Sequence, residues 1–497
     1  MSEYRYKEFG QVKGVSGCIA SVINLQNCFL GQLIKFGYGT EGIIMGCDLQ
    51  EAKVLIVKEN EPIIPGSRVT ATLEPFNMPV GNNLVGRIIN PMGEAMDGQG
   101  AIKPEDYVPY FNACPPIMER HGLTRTLETG VKLVDTMLPI GKGQRMLILG
   151  DKMVGKTTVL TDIILNQKGK NVICVYCAIG KTRSSMIRVV DLFKDKDAFE
   201  YTVFMQAPAS SSPGQQYLAP YAACSVAEYF MYQGKDVFVG FDDFTKHAWA
   251  YRELSLLMQV PPGRDSYPGD IFYLHSRMIE RAAQCDEKRK CGSITFIAVV
   301  ELLEGDLTAY VPTNLVSMTD GQIVLSMPLF NEGFRPAVDI GLSVSRVGTR
   351  VQWKAMKKVS SKLRLEFIQF KELLRVSKLQ TSGQSEETRE KLAAGKVLQA
   401  LLTQPPNSPI SQEIQVAAFF AKDKKLLSKF ENQEMATEFL NRLGEFITKN
   451  DPEVLPLLRK EMDLSQDIQD RLLQWITLLV DEIAAKFAAK VEAEEAV

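Results

Sequence analysis

The spacing of hydrophobic and polar positions divides the chain into three stretches of different rhythm. From Lys13 to about Leu73, the short β-rich runs CIASVI, FLGQLIKF, EGIIMG, AKVLIV and SRVTATL are separated by turn residues such as Gly37, Gly39, Asn60 and Pro65. This predicts a small all-β module closed as a barrel. The segment PVGNNLVGRIINPMGEAMDGQG follows; its Val, Leu and Ile positions are too regular for a disordered linker, so an ordered connector is expected. Between about residues 130 and 345, MLILG, VICVYCAIG, YTVFMQA, DVFVGFDD and SITFIAVVE read as strands, and TTVLTDIILNQ, SSMIRVVDLF and YLAPYAACSVAEYFMYQ as helices. That alternation predicts βαβ units, a mainly parallel sheet, and ligand binding at the carboxyl ends of its strands. From about Trp353 onward, amphipathic stretches such as AMKKVSSKLRLEFIQFKELL, EKLAAGKVLQALL and QDRLLQWITLLVDEIAAKFAAKVEAEE predict a helical bundle ending in a solvated acidic tail. The expected fold is multidomain: an N-terminal β-barrel over 1–73, a central α/β nucleotide-binding domain over 74–352, and a C-terminal α-helical bundle over 353–497.

Composition narrows the class. A chain of 497 residues exceeds one ordinary core. Lys and Arg number 57 against 59 Asp and Glu, a balance that argues against a nucleic-acid-coating surface. No run approaches the roughly 18 apolar residues of a spanning helix, and MSEYRYKEFGQ lacks a secretory signal pattern. Nine cysteines suit reduced thiols better than a disulfide framework. Cys174 and Cys177 form C-x-x-C, but in a continuous apolar run where residues three apart face opposite sides of a strand.

The chemistry centres on residues 146–158, MLILGDKMVGKTT. Gly150, Gly155, Lys156 and Thr157 fit the G-x-x-x-x-G-K-[ST] phosphate-binding pattern, with the expected strand before it and helix after it. The glycines let the backbone curl so that successive N–H groups meet phosphate oxygens, the helix N-terminus adds its positive end, and Lys156 adds a charge. The candidate nucleotide contacts are Gly150, Asp151, Lys152, Met153, Val154, Gly155, Lys156, Thr157 and Thr158, with Thr157 placed to hold Mg²⁺. Downstream, the strand DVFVGFDD ends in Asp242 and Asp243, and Asp242 is the expected carboxylate for ordering water around that ion. Glu301, closing SITFIAVVE, either acts through Mg²⁺-bound water or is a simple strand-end carboxylate.

Four strings, PIGKGQRMLILGDKMVGKTT, PPGRDSYPGDIFYLHSRMIERAA, AYVPTNLVSMTDGQI and DIGLSVSRVG, closely resemble the alpha subunit of F-type ATP synthases, and the likeness runs from the barrel to the helical end. The resemblance implies a RecA-like nucleotide domain that binds ATP or ADP with Mg²⁺. It also implies an alternating hexameric ring with beta subunits, a central gamma-like rotor and a peripheral stalk. The membrane is reached only through an ion-translocating sector, which puts the head at the cytoplasmic face of the inner (cell) membrane. In the catalytic beta subunits the corresponding strand ends in G-E-R, whose glutamate positions the attacking water; here the text is AIGKTRSS, with Lys181 in that place. An ammonium has no lone pair with which to orient a water, so this chain's own site is expected to hold nucleotide rather than hydrolyse it. By the same resemblance, Arg346 is the arginine finger for a neighbouring beta subunit and Ser317 lines that neighbouring site. Arg335 lies beside the adenine, and Gln404 contacts the base while Pro406 replaces a second glutamine.

Departures from the family pattern are the short start before the barrel, the uncharged stretch SKLQTSGQ where a rotor-facing acidic loop is usual, and Lys152 and Met153 within the glycine loop. The short start is compatible with the divergent N-type branch; the coupling ion, H⁺ or Na⁺, is not encoded here. Two other readings remain: a self-sufficient homohexameric motor such as a secretion ATPase or helicase, which would need a glutamate at Lys181, and a head subunit recruited to a different machine.

Overall fold

The computed structural model describes residues 7–48, 50–58, 60–379, 386–430 and 433–495. The chain forms two compact units, one of residues 1–122, 142–152 and 167–319, the other of residues 123–141, 153–166 and 320–497.

The first unit opens with strands β1 (Lys7–Ser16), β2 (Ile19–Ile23), β3 (Gln32–Lys35), β4 (Glu41–Cys47), β5 (Glu51–Lys58) and β6 (Arg68–Pro75), closed into a barrel in the order β1-β2-β5-β4-β3-β6. Alternate residues point inward, and Val12, Ala20, Val22, Ile34, Ile44, Val54 and Val69 fill the interior. At Gly42 the neighbouring strand passes so close that a Cβ would lie 2.6 Å from Val54 Cγ1 and 2.9 Å from the Leu55 carbonyl, so only glycine fits. The connector then contributes β7 (Asn77–Val80), β8 (Ile88–Ile89) and β9 (Asp106–Pro109), with β7 and β9 pairing antiparallel.

Short strands β10 (Thr126–Leu127) and β11 (Ile140–Gly141), flanking helix α1 (Lys132–Met137), belong to the second unit. The chain returns to the first unit as β12 (Arg145–Gly150) and passes through the glycine loop into α2 (Lys156–Leu165), which lies in the second. Next come β13 (Val172–Ile179), α3 (Arg183–Asp195), β14 (Thr202–Ala207), α4 (Pro213–Tyr232), β15 (Asp236–Asp242), α5 (Phe244–Leu257), α6 (Ile271–Ile279), β16 (Ser293–Glu301) and α7 (Tyr310–Met318). Within the first unit these strands form a parallel sheet in the order β12-β16-β15-β13-β14-β8. Burial on both faces explains their unbroken apolar text: every residue of β16 before Glu301 is buried. The connector is thus more than a spacer, since Ile88 and Ile89 pair with Phe204 and Met205 and extend the sheet. Cys174 and Cys177 are buried free thiols of β13, and burial pushes both thiol pKa values up.

The second unit continues with β17 (Gly321–Leu325), α8 (Met327–Asn331), β18 (Val344–Ser345), α9 (Lys354–Ser360), α10 (Leu363–Leu379), α11 (Glu386–Leu402), α12 (Gln412–Asp423), α13 (Gln433–Asn450), α14 (Val454–Glu461) and α15 (Gln466–Glu495). Met435, Phe439, Leu443 and Ile447 line one side of α13, and Ile468, Leu472, Ile476, Leu479 and Ile483 one side of α15, the helical spacing expected of a bundle core. The stretch beginning at Ala355 reads as one helix but breaks between Ser360 and Leu363, where the Ser361 hydroxyl bonds the Lys358 carbonyl and competes with the helical ladder. The expected rotor-facing loop falls largely on residues 380–385, outside the described residues, as does the start before Lys7. No helix among the described residues is long and apolar enough to cross a membrane.

Candidate functional site

The parallel sheet of the first unit ends in a row of charged side chains. Strand β12 stops at Gly150, in register with Glu301 of β16, and the Gly150 carbonyl accepts the Leu302 N–H at 2.9 Å. Asp151 Oδ1 accepts the Gly305 N–H at 2.7 Å, which ties the start of the loop to the segment after β16. Lys152 is exposed and its Nζ lies 3.4 Å from Glu301 Oε1, while the Glu301 N–H donates to Thr245 Oγ1 at 2.8 Å.

The loop then adopts the shape its glycines predict. Met153 takes φ +62° and Gly155 φ +102°, two left-handed residues on either side of buried Val154. Alternation of this kind makes a concave nest of backbone N–H groups, the geometry that receives an anion. Gly155 is the residue before α2, Lys156 is its buried first residue, and Thr157 and Thr158 follow partly exposed in its first turn. The ten-residue helix directs its positive end at the loop.

Two strands from β12, β15 ends in Asp242, which is fully buried, followed by Asp243, 1% exposed. Lys181, just past the end of β13, places its Nζ 2.6 Å from Asp242 Oδ1 and 3.4 Å from Asp243 Oδ2. The Tyr176 hydroxyl donates to Asp242 Oδ2 at 2.9 Å. Burial opposes charge on Lys181, but the two carboxylates outweigh it and hold its pKa above the usual lysine value, so the side chain is an ammonium at neutral pH. Burial also pushes the Asp243 carboxyl up, against the pull of Lys181, and Asp243 caps α5 by accepting the Lys246 N–H at 2.8 Å. The Tyr176 phenol, raised by burial and then by the Asp242 charge, stays a donor.

Mg²⁺ wants oxygen ligands in a near-octahedral shell. Asp242, the carboxylate expected to order water around that ion, has one oxygen beside the Lys181 ammonium and the other accepting from the Tyr176 phenol.

In the second unit, Arg335 is exposed, its guanidinium 4.8 Å from the Phe330 ring centroid, and its carbonyl accepts the Gln404 N–H at 2.8 Å, so these two predicted residues are neighbours. The side chain of Gln404 departs from expectation. It is 4% exposed; Oε1 accepts the Lys132 N–H at 3.0 Å, and Nε2 donates to the Gly130 and Ser408 carbonyls, each at 2.8 Å. Both amide hydrogens are committed to backbone, so Gln404 builds the loop instead of reading a base edge. Arg346 is exposed immediately after β18, with its N–H donating to the Asp320 carbonyl at 2.8 Å. Ser345 braces it, donating from Oγ to the Pro139 carbonyl at 2.9 Å and accepting the Gly348 N–H at 3.3 Å. Ser317 sits exposed on α7 in the first unit, its hydroxyl donating to the Asn314 carbonyl at 2.6 Å.

Sequence reasoning missed Tyr176 and Thr245. Tyr176 is one residue within an apolar strand, and nothing local distinguishes it from core; its partner lies in another strand. Thr245 follows the aspartate pair closely, and that proximity was the available signal.

Two family models cover most of the chain. The ATP synthase alpha/beta family, nucleotide-binding domain, matches residues 130–345, and the ATP synthase alpha/beta chain, C terminal domain, matches residues 352–478. The chain is also 41% identical over 480 residues to ATP synthase subunit alpha of Caldanaerobacter subterraneus subsp. tengcongensis, covering 97% of this chain and 94% of that protein. With a six-stranded barrel ahead of a glycine-loop α/β domain and a helical end, the chain belongs to the ATP synthase alpha/beta family as a homologue of its F-type alpha subunits.

Proposed function

We propose that this chain is the non-catalytic nucleotide-binding subunit of a rotary ATP synthase head, holding ATP or ADP in its own glycine loop and lending Arg346 to the catalytic site of an adjacent beta-type chain. The observation that carries the first half is the Lys181 ammonium at the end of β13, paired with Asp242 and Asp243. Hydrolysis needs a group with a lone pair to orient or deprotonate water, and this position supplies only donors. The exposed, braced backbone of Arg346 supports the second half. A guanidinium fixed at a dry interface stabilises charge developing on a transferring phosphoryl group and contributes roughly 10³ to 10⁵ in rate. Ser317, exposed on α7, is assigned to the same boundary with the neighbour.

The assembly that follows is an alternating hexameric ring with beta chains around a gamma-like rotor, tied to a peripheral stalk, and peripheral to the cytoplasmic face of the cell membrane through an ion-translocating sector. Three domains, 1–73, 74–352 and 353–497, divide the work between ring contact, nucleotide binding and rotor contact. A self-sufficient homohexameric motor is disfavoured by Lys181.

The test is the purified chain without a beta partner. It should bind ATP stoichiometrically in equilibrium dialysis and show negligible phosphate release; rapid turnover by the isolated chain would refute the assignment.

A further inference from the structure

The second unit holds a cavity of about 950 Å³, every wall of which belongs to that unit. It opens between α11, the turn after it, α12 and α13, and it is lined by no residue of the glycine loop and by neither Arg335 nor Gln404. Its volume lies in the range of pockets that take small organic molecules. One charged side chain in its wall is buried: Lys132, the first residue of α1, is 1% exposed.

The Lys132 Nζ donates at 2.7 Å to the carbonyl of Thr403, which also lines the cavity, and this seats the amine at the wall. An ammonium carries three N–H donors, and this is the one hydrogen bond that Nζ makes among the described residues. Among those residues no carboxylate pairs with it, and burial alone pushes its pKa down, to about 7. Glu332, Glu445 and Lys449 line the cavity too, but from exposed positions, and none of them offsets that burial. A buried ammonium without a countercharge is costly. An anion brought against it supplies the missing charge and takes up idle donors in charge-assisted bonds.

The remaining wall suits a hydrocarbon body. Ile410 from the turn, Ile414 from α12 and Leu440 from α13 are half-buried and line the same cavity. At Gly444 of α13 a Cβ would lie 2.8 Å from Ile414 Cδ1, so glycine lets the two helices close on each other there. A bare inorganic ion would leave these side chains against water, whereas an alkyl chain covers them. We propose that this cavity is a binding site for a small organic carboxylate, its anionic group paired with Lys132 Nζ and its hydrocarbon body laid against Ile410, Ile414 and Leu440.

The experiment is isothermal titration calorimetry of the purified full chain with hexanoate. The comparison probes are 1-hexanol, which has the same length and no charge, and inorganic phosphate, an anion without a hydrocarbon body. Hexanoate should saturate one site per chain, and each comparison probe should bind at least about tenfold more weakly. Equal affinity for either comparison probe, or no saturable hexanoate binding up to about 10 mM, overturns the proposal. Lys132→Met removes the charge and keeps most of the side-chain volume, so hexanoate should fall to the affinity of 1-hexanol; native affinity in the folded variant overturns the proposal. Folding is checked by circular dichroism, and if Lys132→Met fails, Thr437→Trp carries the test. Thr437 is an exposed residue of α13 in the cavity wall, and tryptophan there narrows the cavity while Lys132 stays in place. Hexanoate should then bind at least about tenfold more weakly, and unchanged affinity overturns the proposal.

Discussion

Gln404 Oε1 accepts the backbone N–H of Lys132 at 3.0 Å, linking the turn after α11 to the first residue of α1. Together with the two bonds from Nε2, this makes Gln404 a structural clasp. Gln404→Ala should therefore destabilise the second unit by about 1–3 kcal/mol, the cost of leaving buried polar groups unsatisfied. Thermal unfolding measures this. Discrimination between ATP and GTP should stay nearly unchanged, and a variant with native stability but lost base discrimination would contradict the clasp.

Arg346 and Lys156 should fail differently. In the assembled complex, Arg346→Ala should reduce steady-state hydrolysis by roughly 10³-fold or more while the chain retains its own nucleotide. Lys156→Ala should instead weaken nucleotide retention in this chain, with a smaller effect on turnover. Parallel measurement of phosphate release and bound nucleotide separates them; equal loss of chemistry from both would remove the division of labour.

Arg281 and Glu228 form a buried bidentate pair of 1% and 0% side-chain exposure, with Nε to Oε1 at 2.6 Å and Nη2 to Oε2 at 2.8 Å. Arg281→Ala strands a carboxylate in the core and should cost about 3–5 kcal/mol in urea unfolding. Replacing both residues by Met should recover a substantial part of that loss, because no charge is left unpaired.

Asp162, buried in α2, has its carboxyl pushed up to about 7 by burial, against one hydrogen bond from the Asn407 N–H. A raised carboxyl pKa means that its contribution to stability is whole below the unfolded carboxyl range, near pH 4, and is lost as pH rises through about 7. Lys132, pushed down to about 7 by burial, behaves oppositely: its contribution is whole above the ordinary lysine range and is lost as pH falls through about 7. Asp162→Asn keeps an acceptor for Asn407 and should match the native chain at pH 4 but exceed it by on the order of 1–3 kcal/mol at pH 8. Melting curves at both pH values measure the difference.

Much of the fold is legible because its signals are local. Alternation at period two marks the barrel strands, unbroken apolar runs mark β12 to β16, and period-3.6 faces mark the long helices. The glycine loop is equally local: Gly150, Gly155, Lys156 and Thr157 act within one turn of chain, and their spacing fixes the backbone shape. The identity of Lys181 is local too, and puts an ammonium with no lone pair just past the end of β13. What the sequence left open concerns partners far apart in the chain. Whether Ile88 and Ile89 would join a sheet depended on an unpaired edge at β14, and whether Gln404 would read a base or hold Gly130 depended on where the chain's return brought it. Most telling is Asp242. Its text, an aspartate closing an apolar strand, reads as a metal carboxylate. Only the parallel pairing of β13 with β15, which brings Ala178 beside Asp242, puts Lys181 within reach of it. The sequence by itself determined the elements and the phosphate loop, because short-range sterics and periodicity suffice for those. The tertiary structure decided which charges meet, because hydrogen-bond register and burial, which set that outcome, come into being only when distant strands pair.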